Sequence, residues 1–179
     1  MDELLPSNPF GGRTLIVDTA DPRCYPLPSI ALREAAEHDQ IYVRSGIYED
    51  KIFVSDRPVR LIGAGRDQVQ VFCRRGGPLY LQRVSGGRIS GIAFRYVGSD
   101  QHSAINVLDS TCVISDCRAM EGILSGVVLY GQECRATFSG NFEKLCRYLS
   151  KSCPLKAKNS PTTWCGNTRN RSAAIASTT

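Results

Sequence analysis

Apolar residues in the middle of this chain come in short, β-branched runs with a period of two. Ile52-Phe53-Val54 and Val69-Gln70-Val71-Phe72 are examples, and alternation of this kind marks half-buried strands. The runs themselves recur. Ile62-Gly63, Ile89-Ser90-Gly91, Ile114-Ser115-Asp116 and Phe138-Ser139-Gly140 fill one slot in successive segments, with Leu79-Tyr80-Leu81, Ile105-Asn106-Val107-Leu108 and Val127-Val128-Leu129 between them. The offset is roughly 22 to 27 residues, and a period of that length made of strands predicts stacked coils in a parallel β-solenoid. Glycines fall between the runs, where a coil must turn. The expected fold is all-β: a short right-handed single-stranded parallel β-helix of about four to five coils. It is expected over residues 14–143, after an irregular lead-in over 1–13.

Thr14-Leu15-Ile16-Val17 reads as a first short strand, stopped by Asp18 and the Asp21-Pro22 turn signal. One helix follows at about 29–38. Leu27, Ile30, Ala31 and Ala35 share a face, Arg33, Glu34 and Glu37 take the other, and Ser29 is the N-cap candidate after Pro28. The first coil of a solenoid has an open apolar end, and this helix sits where a cap is needed. Further strands are expected from Gln40 to Arg44, Lys51 to Ser55, Val59 to Ile62 and Val69 to Cys73.

After Phe142 the strand pattern stops. Residues 144–179 read as a basic, irregular tail, and from Cys146 onward they hold no acidic residue. Such a tail is a poor cap, so a longer solenoid, cut short or differently ended, is the expectation. An apolar last layer near Phe138 and Phe142 would then offer a route to self-association.

The composition, 42% hydrophobic and 22% charged over 179 residues, suits one soluble domain. No apolar run approaches the roughly 18 residues of a membrane span. Acidic residues stand at the N-terminus where a signal peptide carries basic ones, so a cytoplasmic location is expected. Eight cysteines are many, but no C-x-x-C occurs and His38 and His102 are isolated. Neither metal nor other cofactor is expected from that spacing. Cys73, Cys112, Cys117 and Cys134 are read instead as buried free thiols in the stacked core.

Ile30-Ala31-Leu32-Arg33-Glu34-Ala35-Ala36, followed by Gln40 through Ile52 with Ser45-Gly46-Ile47-Tyr48-Glu49 inside it, resembles the opening of the pectin-methylesterase and pectate-lyase-like superfamily. Val59-Arg60-Leu61-Ile62-Gly63-Ala64-Gly65 resembles the coil that comes next there. The later Ile-Ser-Gly/Asp slots resemble generic β-helix repeats, including those of some F-box and spindle-associated proteins. The resemblance covers roughly residues 14–141 and implies the fold far more than an activity. An esterase of that superfamily would carry Gln-Asp-Thr-Leu-Tyr, Asp-Phe-Ile-Phe-Gly and Arg-Pro-Trp segments, with two carboxylates as nucleophile and general acid. Here the stretch after Gly122 reads Ile123-Leu124-Ser125-Gly126, and Trp164 lacks a preceding Arg-Pro. A calcium-dependent lyase would need clustered acids. Asp100, Asp109 and Asp116 are spaced to approach one another, but Asp109 and Asp116 read as turn residues. No catalytic residue is assigned.

One charge feature remains. From Arg57 to Tyr96 lie Arg57, Arg60, Arg66, Arg74, Arg75, Arg83, Arg88 and Arg95, no lysine, and a single acid, Asp67. Arginine presents a planar fork that pairs with carboxylate or phosphate. Arg60 stands about one coil from Arg83 or Arg88, so stacking would line cations into a stripe beside Tyr80 and Tyr96. The binding residues expected are Arg60, Arg74, Arg75, Arg83, Arg88 and Arg95 with those two tyrosines. The partner expected is a protein or an acidic polysaccharide rather than nucleic acid. The bland alternative is a solvated flank that keeps the solenoid soluble.

Overall fold

The computed structural model describes residues 5–120, 125–131, 134–139, 162–163 and 176–177. Strand β1 (Thr14–Val17) comes first, then helix α1 (Pro28–Glu34), and then the coils begin. The first coil is β2 (Gln40–Val43), β3 (Gly46–Glu49) and β4 (Ile52–Ser55); the second is β5 (Val59–Gly63), β6 (Val69–Cys73) and β7 (Leu79–Gln82). The third is β8 (Ser85–Ser90), β9 (Ala93–Tyr96) and β10 (Ser103–Leu108), and the fourth is β11 (Thr111–Ser115), β12 (Arg118–Met120) and β13 (Ser125–Tyr130). Strand β14 (Arg135–Ser139) opens the next turn. Each strand pairs in parallel with its counterpart one coil away, giving a six-stranded first sheet (β1-β2-β5-β8-β11-β14) and two four-stranded sheets (β3-β6-β9-β12 and β4-β7-β10-β13). This is the all-β parallel solenoid that the repeat predicts. Strand β3 was not among the strands expected from the sequence.

Inward side chains stack in columns. Leu15, Ile41, Leu61, Ile89 and Ile114 follow one another up the first sheet. Tyr48, Val71, Phe94 and Ala119 line the second, and Ile52, Leu79, Ile105 and Val127 the third. All of these are buried and form one core. One slot is corrected: Leu61 occupies the inward place opposite Ile89, and Ile62 pairs with Ser90 on the outer face. In a strand, a slip of one residue exchanges the two faces. In Val59-Arg60-Leu61-Ile62 both Leu61 and Ile62 are apolar, so the pattern alone does not choose between them.

The helix is shorter than expected and capped differently. It ends at Glu34, and its N-cap is Leu27 rather than Ser29. The Asp50 carboxylate, from the turn before β4, accepts the Ser29 backbone N–H at 2.7 Å. At the other end Arg57 donates to the Ala35 carbonyl at 3.0 Å and to that of Leu32, while Asp39 accepts from Ala36 N–H at 2.9 Å. Side chains from the first coil thus tie down both helix ends, meeting the unpaired groups that every helix leaves. Pro28, Ala31 and Leu32 are its buried residues.

Corners are braced by charge. Arg66 pairs with Asp116 at 3.3 Å and Arg118 with Asp67 at 3.0 Å, joining the second coil to the fourth. Gly91 of the third coil lies beneath, with φ of 71°; a Cβ there would meet the Gly63 carbonyl at 2.4 Å. Of the thiols, Cys112, Cys117 and Cys134 are buried, whereas Cys73 is only half-buried. Cys73 is the last residue of β6, where the chain turns out of the core. Burial pushes the Cys112 and Cys117 thiols up to about 12. The expected tail over 144–179 and the apolar layer at Phe142 lie outside the described residues, apart from β15 (Thr162–Thr163) and β16 (Ala176–Ser177), which pair antiparallel.

Candidate functional site

The arginine run does not make one stripe, because its members are divided between two sheet faces and the corners between strands. Arg57 holds the end of α1, and Arg66 braces a corner. Arg83 stands at the turn after β7 with φ of 50° and grips Asp56 through Nη2 at 2.8 Å. Arg74 pairs with Glu49 at 3.2 Å and lies 5.8 Å from the Phe72 ring. Arg75 is exposed beyond β6, and Arg95 faces outward from β9 opposite Phe72.

The two tyrosines part as well. Tyr96 is 2% exposed, with its hydroxyl accepting the Asp100 N–H at 3.0 Å, so its ring is core and offers no face to a ligand. The alternation of β9 places Phe94 and Tyr96 inward around Arg95, and the polar tip of Tyr96 is satisfied by a loop amide. Tyr80 is half-buried on the third sheet, in register between Phe53 and Asn106. Lys51 Nζ lies 5.0 Å from its ring, and its hydroxyl accepts the Gly77 N–H at 3.2 Å.

What the fold does bring together is Arg60 and Arg88. They are register partners on β5 and β8, both pointing out of the first sheet. Arg88 is aimed by a β-bulge: between the pairs Thr111–Ser85 and Val113–Arg88, β8 carries an extra residue at Gly86-Gly87. Gly86 has φ of 78°, and bulges of this kind redirect the side chain that follows. Arg60 Nε donates to Gln40 Oε1 at 2.8 Å. Gln40 is fully buried and donates in turn to the Pro6 carbonyl at 2.9 Å.

The lead-in is irregular but pinned across this face. Asn8 Nδ2 donates to the His38 carbonyl at 2.8 Å, and Gly12 passes so close that a Cβ would meet that same oxygen at 2.0 Å. The Phe10 ring is thereby set 5.2 Å from the Arg60 guanidinium. Phe10, Glu37, His38, Pro58, Val59, Gly86 and Gly87 complete an open groove around the two arginines, with a cavity volume of about 460 Å³.

Cations outnumber available acids in this groove, with Glu37 set against Arg60 and Arg88. Asp39, at its edge, is spent on Arg13, whose Nη2 it holds at 2.6 Å, and that guanidinium keeps the carboxyl down at about 2. Among the described residues neither Arg60 nor Arg88 has an acidic partner. Burial pushes the Arg60 pKa down, and the like charge of Arg88 adds to the shift. Guanidinium stays protonated regardless, so the pair stands as two adjacent cations.

No protein-family model matches this chain, and no curated protein matches it. A match does come from a crystal structure of a pectin methylesterase mutant in complex with a hexasaccharide: TM-score 0.59, 11% identity, 79% of this chain covered. The fold is that of a pectin methylesterase-like β-helix. The chain spans about half, 48%, of that structure's length. At this identity the likeness carries the β-helix alone. On the β-helix seen here, Asp109 and Asp116 sit at corners with φ of 42° and 49°, as turn chemistry expects of Asp.

Phe10 gave no sign in the sequence, since a lead-in has no period to place it, and Glu37 was read only as part of the helix's polar face. The Gly86-Gly87 pair before Arg88 was the one signal that a strand pattern offers for such a site.

Proposed function

We propose that this chain is a non-catalytic β-helix scaffold that binds an acidic partner, a protein or an acidic glycan, through the Arg60–Arg88 groove. One observation carries the reading. Most neighbouring arginines are spent on a carboxylate or a helix end, while these two stand in register with none. Like charges opposed across a ladder are destabilising, which an anion in the groove would reverse. Affinity for polygalacturonate and for acidic peptides, measured at rising salt, tests it. Binding should weaken with salt and drop at least tenfold in an Arg60→Gln/Arg88→Gln double variant. Binding that ignores both salt and the double variant overturns the proposal.

The fold neighbour gives a second reading, an enzyme acting on pectin. Methanol release from pectin, or unsaturated product from polygalacturonate, above the buffer rate would favour it over a scaffold.

A further inference from the structure

Resting on that groove, we infer that its ligand is a phosphorylated Ser or Thr side chain on an extended protein segment, not the carboxylates of a glycan. The width of the cationic patch decides. Along the outward column Arg88 is followed by Val113, and Arg60 is flanked on its other side by its hydrogen-bond partner Gln40. The charge is therefore two residues wide and bracketed by neutral side chains. A polyuronate carries one charge on every sugar and would call for a longer stripe. A single phosphomonoester carries about −1.5 to −2 charges and three acceptor oxygens on one group, which suits two arginines that are register neighbours on adjacent strands.

The forks are also set for it. Arg60 Nε is occupied by Gln40 and its guanidinium lies over the Phe10 ring, while its Nη groups make no hydrogen bond among the described residues. Arg88, on the neighbouring strand about 4.8 Å away, brings a second edge. One carboxylate would be saturated by the first fork and leave the second cation unmatched. Around the pair, Phe10, Pro58, Val59 and the 41%-exposed Val113 give apolar contact for flanking residues. Glu37, on the helix-side wall, is the one lining acid without an ion-pair partner among the described residues, and against two arginines it leaves the groove positive.

The test is binding of a degenerate peptide library with a fixed central phosphoserine, beside the same library carrying Ser or Glu, and beside hexagalacturonate. The phosphorylated library should bind at least tenfold tighter than the Glu library, and both Arg60→Gln and Arg88→Gln should weaken it about tenfold or more, as loss of a charged hydrogen bond implies. Arg75→Gln should leave it unchanged. Arg88 makes no bond among the described residues, so R88Q decides even if R60Q misfolds. Arginine-dependent binding of hexagalacturonate or of the Glu library, with no gain for phosphate, overturns the phosphate inference and leaves the groove reading standing. If no probe binds, or if R88Q changes nothing, both fall.

Discussion

Single residues decide where this chain's charge is spent, and Asp39 shows how tightly. Its carboxylate accepts from Arg13 Nε at 3.1 Å, from Arg13 N–H at 2.8 Å and from Ala36 N–H at 2.9 Å, and the Arg13 guanidinium foremost holds it at about 2. An unfolded Asp titrates near about 3.9. The folded value is the lower one, so this contribution is fully present above pH ~4 and is lost as pH falls through about 2. Asp39→Asn should cost roughly 1–3 kcal/mol at neutral pH. It should also flatten the fall in stability between pH 5 and 2, read as urea midpoints across that range. An unchanged acid slope would show that Asp39 is not the group being titrated. The same scale explains what the sequence left open. A run of arginines states how much charge there is but not which guanidinium meets an acid, because Asp56, Glu49 and Asp116 lie a coil or more away along the chain. Tyr96 looks like a surface ring until the alternation of β9 is fixed.

Elements were more legible than their ends. The strands announced themselves through β-branched alternation, and the helix through one apolar face. Its boundaries did not, because they are set from outside: the N-terminal amide is met by Asp50 and the last carbonyls by Arg57, both far along the chain. Sequence signals for caps are local, and here the caps are tertiary. The distinction is measurable. Asp50→Ala should destabilise by about 1 kcal/mol, as loss of a cap does, and speed amide exchange over Ser29–Leu32. Ser29→Ala should stay within about 0.5 kcal/mol, because the Ser29 side chain makes no cap bond. The reverse ranking would restore Ser29 as the cap.

At the scale of the whole molecule, the repeat predicted the architecture because a solenoid's core is built from one coil copied onto the next. Its variable corners, such as the bulge that aims Arg88, escape that logic and make the groove. Coupling between coils should follow the columns. Phe94 is fully buried between Val71 and Ala119, and Phe94→Ala should cost about 3–5 kcal/mol. In a stack held by nearest-neighbour contacts, native-state exchange should then show β8, β9 and β10 losing protection first while β2, β3 and β4, tied to α1, keep theirs. The braces from Arg66 to Asp116 and from Arg118 to Asp67 bypass the third coil and oppose that separation. Equal loss of protection in all coils would mean that these bridges, together with the shared core, make the β-helix unfold as one unit.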